Sequence, residues 1–235
     1  MWNKLDDLKT AAANGESAFL SALYTVDQSF TEPLGTSITL IGMAGTNGSA
    51  NIDASGNLGT RIILKRPYAS VAFNFINGAP AASDTNRAGN TVSFTPTSYD
   101  VYNIPQHSAL FEGANVTGLT YFNRKDQKFG TQTPNSFGFY MIENIQEAKN
   151  SVSNYYDRDK KDGATFVNAP EYGTYVRVYG KYEEKKADGK VVLQGDVNYT
   201  IHLGDFSGGD FDAYSVNRNY KYTYNVTING VQQII

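Results

Sequence analysis

The side chains that most often carry catalysis or bind metals are sparse in this chain. It contains two histidines, and neither lies in an HExxH or His-x-His arrangement that would hold a metal ion. His202 alternates with Ile201 and Leu203, so we interpret it as an ordinary strand residue rather than a ligand or a general base. His107 follows Pro105 in a polar stretch, and we expect it to be a solvated loop residue. Imidazole chemistry therefore has little support.

The acidic residues form two weak calcium patterns. Asp157, Asp159 and Asp162 approach the spacing of a calcium loop, but two lysines intervene and Asn168 stands where the loop needs a bidentate glutamate. We interpret this segment as a solvated charge run. The second pattern consists of Asp205, Asp210 and Asp212 around two glycines. A hairpin loop explains it better than a calcium site does. Glycoside hydrolysis needs a carboxylate pair, and the sequence gives no means of pairing the candidates Glu143, Glu171 and Asp196.

Other enzyme signatures are missing from the sequence. The absence of cysteine excludes disulfides, thiolate catalysis and Cys-containing zinc sites. A Walker loop, a GxGxxG turn and a nucleophile elbow are also absent, so we predict a non-enzymatic protein without cofactor or metal. A net charge of −3 and a pI near 5.4 give no general reason to bind nucleic acid or an anionic membrane. No apolar run of about 18 residues predicts a transmembrane span.

The composition favours short β-strands. The 17 tyrosines, 13 phenylalanines and 22 glycines, with only 18% charged residues, suit half-buried sheets joined by frequent turns. Exposed tyrosines could instead stack against sugars, which makes a glycan-binding module the alternative function. Because most tyrosines alternate along predicted strands, packing in the core or across strands is the preferred explanation.

The length of 235 residues allows one large all-β domain or two small domains. Residues 2–13 predict a short helix, because apolar residues recur every three or four positions and Asn14 and Gly15 provide a stop. Residues 106–136 are polar and weakly patterned. We therefore place a domain boundary near Gly118, which predicts domains at 1–118 and 119–235.

Two-residue alternation predicts the strands. Ala69, Val71, Phe73 and Phe75 share one face of a long run, and Tyr220–Ile228 alternates large apolar with polar residues, which predicts a half-buried antiparallel strand. Further strands are predicted at 37–42, 92–94, 98–104, 137–142, 174–182 and 191–203. The expected fold is mostly β, built as antiparallel sandwiches with one short N-terminal helix.

Several of these segments resemble, in the same order, the fimbrillin-like proteins of the Bacteroidales. Ile63–Val71 resembles an "LKR" strand followed by an "AKV"-like run, with Ser70 where lysine is commoner. Phe139–Asn144 is similar to a "YMPEN" segment, with Ile142 in place of the proline. The remaining matches, which extend the resemblance over nearly the whole chain from about residue 37, are Ser37–Gly42, Ser98–Pro105, Tyr175–Tyr182, Tyr199–Gly204 and Val216–Ile228.

The resemblance implies a fimbrial subunit or accessory adhesin with two transthyretin-like β-sandwich domains. It implies export as a lipoprotein precursor, display at the outer membrane, and partners that are other fimbrial subunits, with host or bacterial surface proteins or glycans as further partners. Family pilins assemble after an Arg-specific protease removes a strand and a neighbouring subunit fills the gap, which is a form of β-augmentation. The first arginine here is Arg61 and there is no lipobox cysteine, so we expect a longer precursor and an incomplete N-terminal domain.

The last six residues are the candidate donor strand for such an assembly. They are largely apolar, carry no charged side chain, and consist of Gly230, Val231, Gln232, Gln233, Ile234 and Ile235.

Overall fold

The computed structural model has the mostly β architecture that the sequence predicts. It describes residues 5–20, 22–26, 53–57, 59, 62–111, 116, 118–231 and 233–234. The predicted strand at 37–42 lies outside these residues. In chain order the elements are α1 (Leu5–Ala13), α2 (Glu16–Leu20), β1 (Leu23–Thr25), β2 (Tyr68–Asn77), β3 (Thr91–Pro105), β4 (His107–Ala109), β5 (Tyr121–Lys128), β6 (Ser136–Ile142), a 3₁₀ turn (Tyr155–Asp157), β7 (Lys161–Asp162), β8 (Thr165–Phe166), β9 (Tyr175–Lys185), β10 (Val191–His202), β11 (Lys221–Gly230) and β12 (Gln233–Ile234).

The N-terminal helix ends where the sequence predicts. Gly15 follows α1 with φ of 103°, a left-handed conformation that glycine adopts without a steric penalty. The chain then forms α2, whose Phe19 ring lies 5.1 Å from the ring of Phe111. Strand β1 pairs with β4, and Val26 beyond it is buried in the core. This segment is thereby attached to one end of the β-structure.

Two four-stranded sheets form a sandwich around one hydrophobic core. The first sheet has the order β10-β9-β3-β5 and the second the order β12-β11-β2-β6. The predicted inward face of β2 is confirmed, since Ala69, Val71, Phe73 and Phe75 are all buried. Strand β3 is one continuous strand, and its pairing with β9 shifts register beside Pro96, which has no amide hydrogen to donate.

Strand β11 has the predicted burial but not the predicted direction, and Tyr220, which was predicted on its buried face, precedes the strand and is 56% exposed. Tyr222, Tyr224, Val226 and Ile228 are buried, whereas β11 runs parallel to β2 from Lys221 opposite Ser70 onward. The prediction of an antiparallel strand was therefore wrong for this pairing. Alternation reports which face is buried, and it carries no information about the direction of the neighbouring strand.

The boundary placed near Gly118 does not separate two units among the described residues. Strands from both sides of it pair in each sheet: β3 with β5 and β9, and β2 with β6 and β11. Two sandwiches were expected, whereas the eight described strands of the two large sheets form one sandwich. The weakly patterned stretch that suggested a boundary contains β5, an edge strand whose alternation is interrupted by two register shifts.

Candidate assembly site

Among the strands that the structure describes, most of β11 has a neighbour on one side only. The carbonyl of Tyr220 accepts from the Ser70 amide and that of Ile228 accepts from the Gly78 amide, at 3.0 Å each. Even-numbered residues therefore direct their backbone groups toward β2, and odd-numbered residues direct theirs to the opposite side. Within the described part of the chain, no strand pairs with residues 221–227 on that opposite side. We call this stretch the open edge.

A short strand occupies the same side of β11 just beyond the open edge. In β12, Ile234 lies opposite Ile228 and Gln233 lies opposite Gly230, with a register shift between the two pairs. The candidate donor segment is thus partly folded back onto its own chain, although Gln232 and Ile235 lie outside the described residues. Two residues of β12 cover the end of a ten-residue strand.

The position beside β11 also faces the edge of the first sheet. The Tyr199 hydroxyl on β10 donates to the carbonyl of Gly230 at 3.1 Å. Val197 and Phe206 pack against the core but remain partly exposed, and the Phe206 ring lies 5.7 Å from that of Tyr224. A strand added here would gain backbone hydrogen bonds, and its inward side chains would find apolar surface.

The two outer strands of the first sheet, β5 and β10, are less regular than β11. Strand β5 is interrupted by register shifts and carries Asp126 at a φ of 55°, features that keep an edge from accepting a second chain. Strand β10 exposes Val191, Val192 and Leu193 near its hairpin, beside a register shift. Strand β11 pairs with β2 without a shift over eight residues, so its open edge is regular.

An ion pair between the sheets holds the start of the donor segment. The Arg87 guanidinium donates to both oxygens of Glu184, at 2.8 and 2.9 Å, and to the carbonyl of Asn229 at 3.3 Å. Hydrogen bonds from Arg87, Asn90 and Tyr182 outweigh burial and lower the pKa of Glu184 to about 2. Burial and the neighbouring carboxylate raise the pKa of Tyr182 to about 12. The contact of Arg87 with Asn229 fixes the chain immediately before Gly230.

The two histidines lie in environments that the sequence did not reveal. His202 is a strand residue as predicted, but it is buried, and its Nδ1 lies 2.5 Å from a carboxylate oxygen of Asp159. The same oxygen accepts from the His202 amide at 3.1 Å. His107 lies in β4 rather than in a loop, and its Nδ1 is 3.0 Å from the Thr25 hydroxyl.

The acidic residues considered for calcium binding or glycoside hydrolysis do not form one site. Some are exposed and others bind neighbouring groups. Glu143 binds Arg218, and Asp212 accepts from the amide of Val152. In the described residues no three His, Asp or Glu side chains are grouped to hold a metal ion. No described helix is long and apolar enough to cross a membrane.

Residues 139–226 match a family model described as a domain of unknown function, DUF4906. The sequence matches none of the curated proteins with which it was compared. Among solved structures, the chain is similar to a candidate cell adhesion protein from Parabacteroides distasonis, at 13% identity and a TM-score of 0.53, over 95% of this chain and 74% of that one. At this identity the likeness shows a shared fold.

Two further solved structures are similar over most of the chain. The tip fimbrial protein Mfa3 from Porphyromonas gingivalis, truncated at its C-terminus, has 16% identity and a TM-score of 0.44, over 97% of this chain and 74% of that one. A candidate cell adhesion protein from Bacteroides eggerthii has 14% identity and a TM-score of 0.43, over 93% and 63%. The likeness to the Parabacteroides distasonis protein shows that this chain shares the fold of a candidate cell adhesion protein of the Bacteroidales.

Proposed function

We propose that this chain is a non-enzymatic subunit of a surface adhesion or pilus structure and that it assembles by strand addition at the open edge of β11. The observation that carries the proposal is the row of outward backbone groups at residues 221–227, beside a position already taken in part by β12. The shared fold with a candidate adhesion protein supports the same class of function. We also propose that the protein is exported as a lipoprotein precursor and displayed at the outer membrane.

The proposed donor is the segment Gly230–Ile235 of a neighbouring subunit. Of the described residues of this segment, Gln233 and Ile234 pair with β11, so little described backbone pairing is lost when the segment leaves β11. Its release lengthens the open edge through Gly230. A donor strand then completes the sheet with backbone hydrogen bonds, while alternate side chains cover the apolar seam.

Replacing Thr223 by proline is expected to abolish assembly while leaving a folded monomer. The side chain of Thr223 is exposed, and its amide is directed to the open edge, so proline removes a donor and places its ring in the path of an incoming strand. Ladders of subunits in unheated detergent gels, and size-exclusion chromatography, measure assembly. Thr223→Ala is the matched control, since it keeps the amide and should assemble as the parent chain does.

Removing Gly230–Ile235 tests the donor separately from the acceptor. The truncated chain should remain folded and monomeric, and it should cap polymers of the full chain by accepting a strand without donating one. Polymers that form equally well from the truncated chain would remove this segment as the donor. Polymers that form equally well from Thr223→Pro would remove the open edge as the acceptor.

A further inference from the structure

A cleft of about 380 Å³ lies between the edge of β10 and the segment that follows the 3₁₀ turn. Its walls include Tyr155, Tyr156, Lys160, Lys161, Asn198 and Thr200. The volume lies in the range of small-molecule sites. We call it the lysine cleft.

Two lysines and one carboxylate line the lysine cleft. Lys160 and Lys161 are exposed, and neither has an ion pair among the described residues. The one lining carboxylate, Asp159, is bound to His202. Arg177, which lies opposite Thr200 in the neighbouring strand, has a buried Nε without a hydrogen-bond partner.

Of the charges that act on Lys161, Arg177 has a larger effect than Asp159. Its ammonium lies 4.5 Å from the centre of the Phe166 ring. Burial, followed by the positive charge of Arg177, lowers the pKa of Lys161, and Asp159 offsets this only in part. Asp100, the other neighbour of Arg177, uses its oxygens on the Asp126 amide and on the hydroxyls of two tyrosines. An anionic group in the cleft would therefore meet ammonium groups that are not yet neutralised.

The remaining groups in the cleft are suited to hydroxyls and to a flat apolar face. The His202 amide points outward to Asp159, so the alternate residues Asn198 and Thr200 also direct their backbone groups into the cleft. Tyr156 is 57% exposed and offers an aromatic face at the rim. Aromatic rings beside hydrogen-bonding groups are the surface on which a pyranose ring stacks.

The shape of the cleft favours a compact ligand over an extended peptide. Asp159 accepts the outward amide of His202, so a peptide strand added along β10 could not continue beyond Thr200. We propose that the lysine cleft binds an acidic sugar residue, with its carboxylate at Lys160 and Lys161 and its ring against Tyr156. The lining of the lysine cleft comes from one chain and includes Val231 of the proposed donor segment, so binding is measured on the monomer, in which that segment is folded back.

Titration of the monomeric full chain by NMR tests the proposal. The probes are 3′-sialyllactose and a glucuronate-containing hyaluronan tetrasaccharide, which represent the two common sources of a sugar carboxylate, with neutral lactose and a tetraglutamate peptide as comparisons. At least one acidic saccharide should bind at the cleft and should weaken as salt is raised. Lactose should bind about tenfold more weakly or not at all.

Variants locate the binding. The double change Lys160→Ala and Lys161→Ala should weaken the acidic saccharide about tenfold or more, and Lys161→Arg should retain most of the affinity because it keeps the charge. Lys186→Ala and Lys190→Ala, in the β9–β10 turn, are the matched controls and should bind as the parent does. Equal binding of lactose, tighter binding of tetraglutamate, absence of binding by both acidic saccharides, or equal loss in the control variants would each overturn the proposal.

Discussion

Replacing Arg87 by alanine is expected to lower the free energy of unfolding by about 3–5 kcal/mol, because it leaves a buried carboxylate without its cation. Glu184 is 2% exposed, and Arg87 donates to both of its oxygens. The same substitution frees the carbonyl of Asn229, immediately before the proposed donor segment. Urea unfolding of the monomer, followed by circular dichroism, measures the change.

The contribution of this ion pair depends on pH in a defined direction. The pKa of Glu184 is about 2 in the folded chain, against an ordinary value of 4.5, so the ionised carboxylate stabilises the fold above the higher value. That stabilisation, about 3 kcal/mol, is lost as the pH falls from about 5 to about 2. The acid loss should be smaller in Arg87→Ala than in the parent chain.

Asp84→Ala is the matched control for Arg87→Ala. Asp84 lies 3.6 Å from the same guanidinium, but its side chain is 37% exposed, and water screens exposed pairs. We expect a loss below about 1 kcal/mol. Equal losses in Arg87→Ala and Asp84→Ala would show that Glu184 does not depend on its cation.

Replacing Arg158 by methionine is expected to cost about 3 kcal/mol or more, because it leaves buried carbonyls without donors. The Arg158 guanidinium donates to the carbonyls of Leu203 at 3.2 Å and Ala213 at 2.9 Å, and also to that of Phe211. It lies between two rings, at 4.3 Å from the centre of Phe206 and 4.2 Å from that of Tyr214. Arg158 thereby attaches the segment before β11 to the segment that lines the lysine cleft.

Arg158→Lys separates charge from geometry. Lysine keeps the positive charge but has no planar fork to reach several carbonyls at once, so we expect a loss close to that of methionine. The measurement is again the free energy of unfolding, with amide exchange in residues 203–214 as a local readout. A lysine variant as stable as the parent would mean that charge alone holds this loop.

Burial along the strands was predictable because side-chain alternation is local. The inward faces of β2 and β11 follow from residue type alone, and the structure confirms both. The direction of β11 was not predictable, since parallel and antiparallel neighbours leave the same alternation on a half-buried strand. Strand β3 continues through Pro96 because the register shift there removes the need for an amide hydrogen at the proline. In the sequence, the same proline predicts a break between two strands.

The side-chain contacts at the assembly site could not be predicted from sequence patterns. Arg87 lies in a loop 97 positions before Glu184, and neither residue is part of a motif. Glu184 occupies an inward position in the alternation of β9. A charged residue at an inward position was the one feature of the sequence that indicated a buried partner. The same reasoning applies to His202, whose partner Asp159 comes from a segment interpreted as a solvated charge run.

The central claim is that a strand from another subunit pairs with the open edge of β11, and amide hydrogen exchange tests it most directly. In the monomer, the amides of Thr223 and Asn225 should exchange much faster than those of Tyr224 and Val226, which point toward β2. Assembly should slow Thr223 and Asn225 by about a hundredfold or more and leave the other two nearly unchanged. Equal exchange of Thr223 and Asn225 in monomer and polymer would contradict the account.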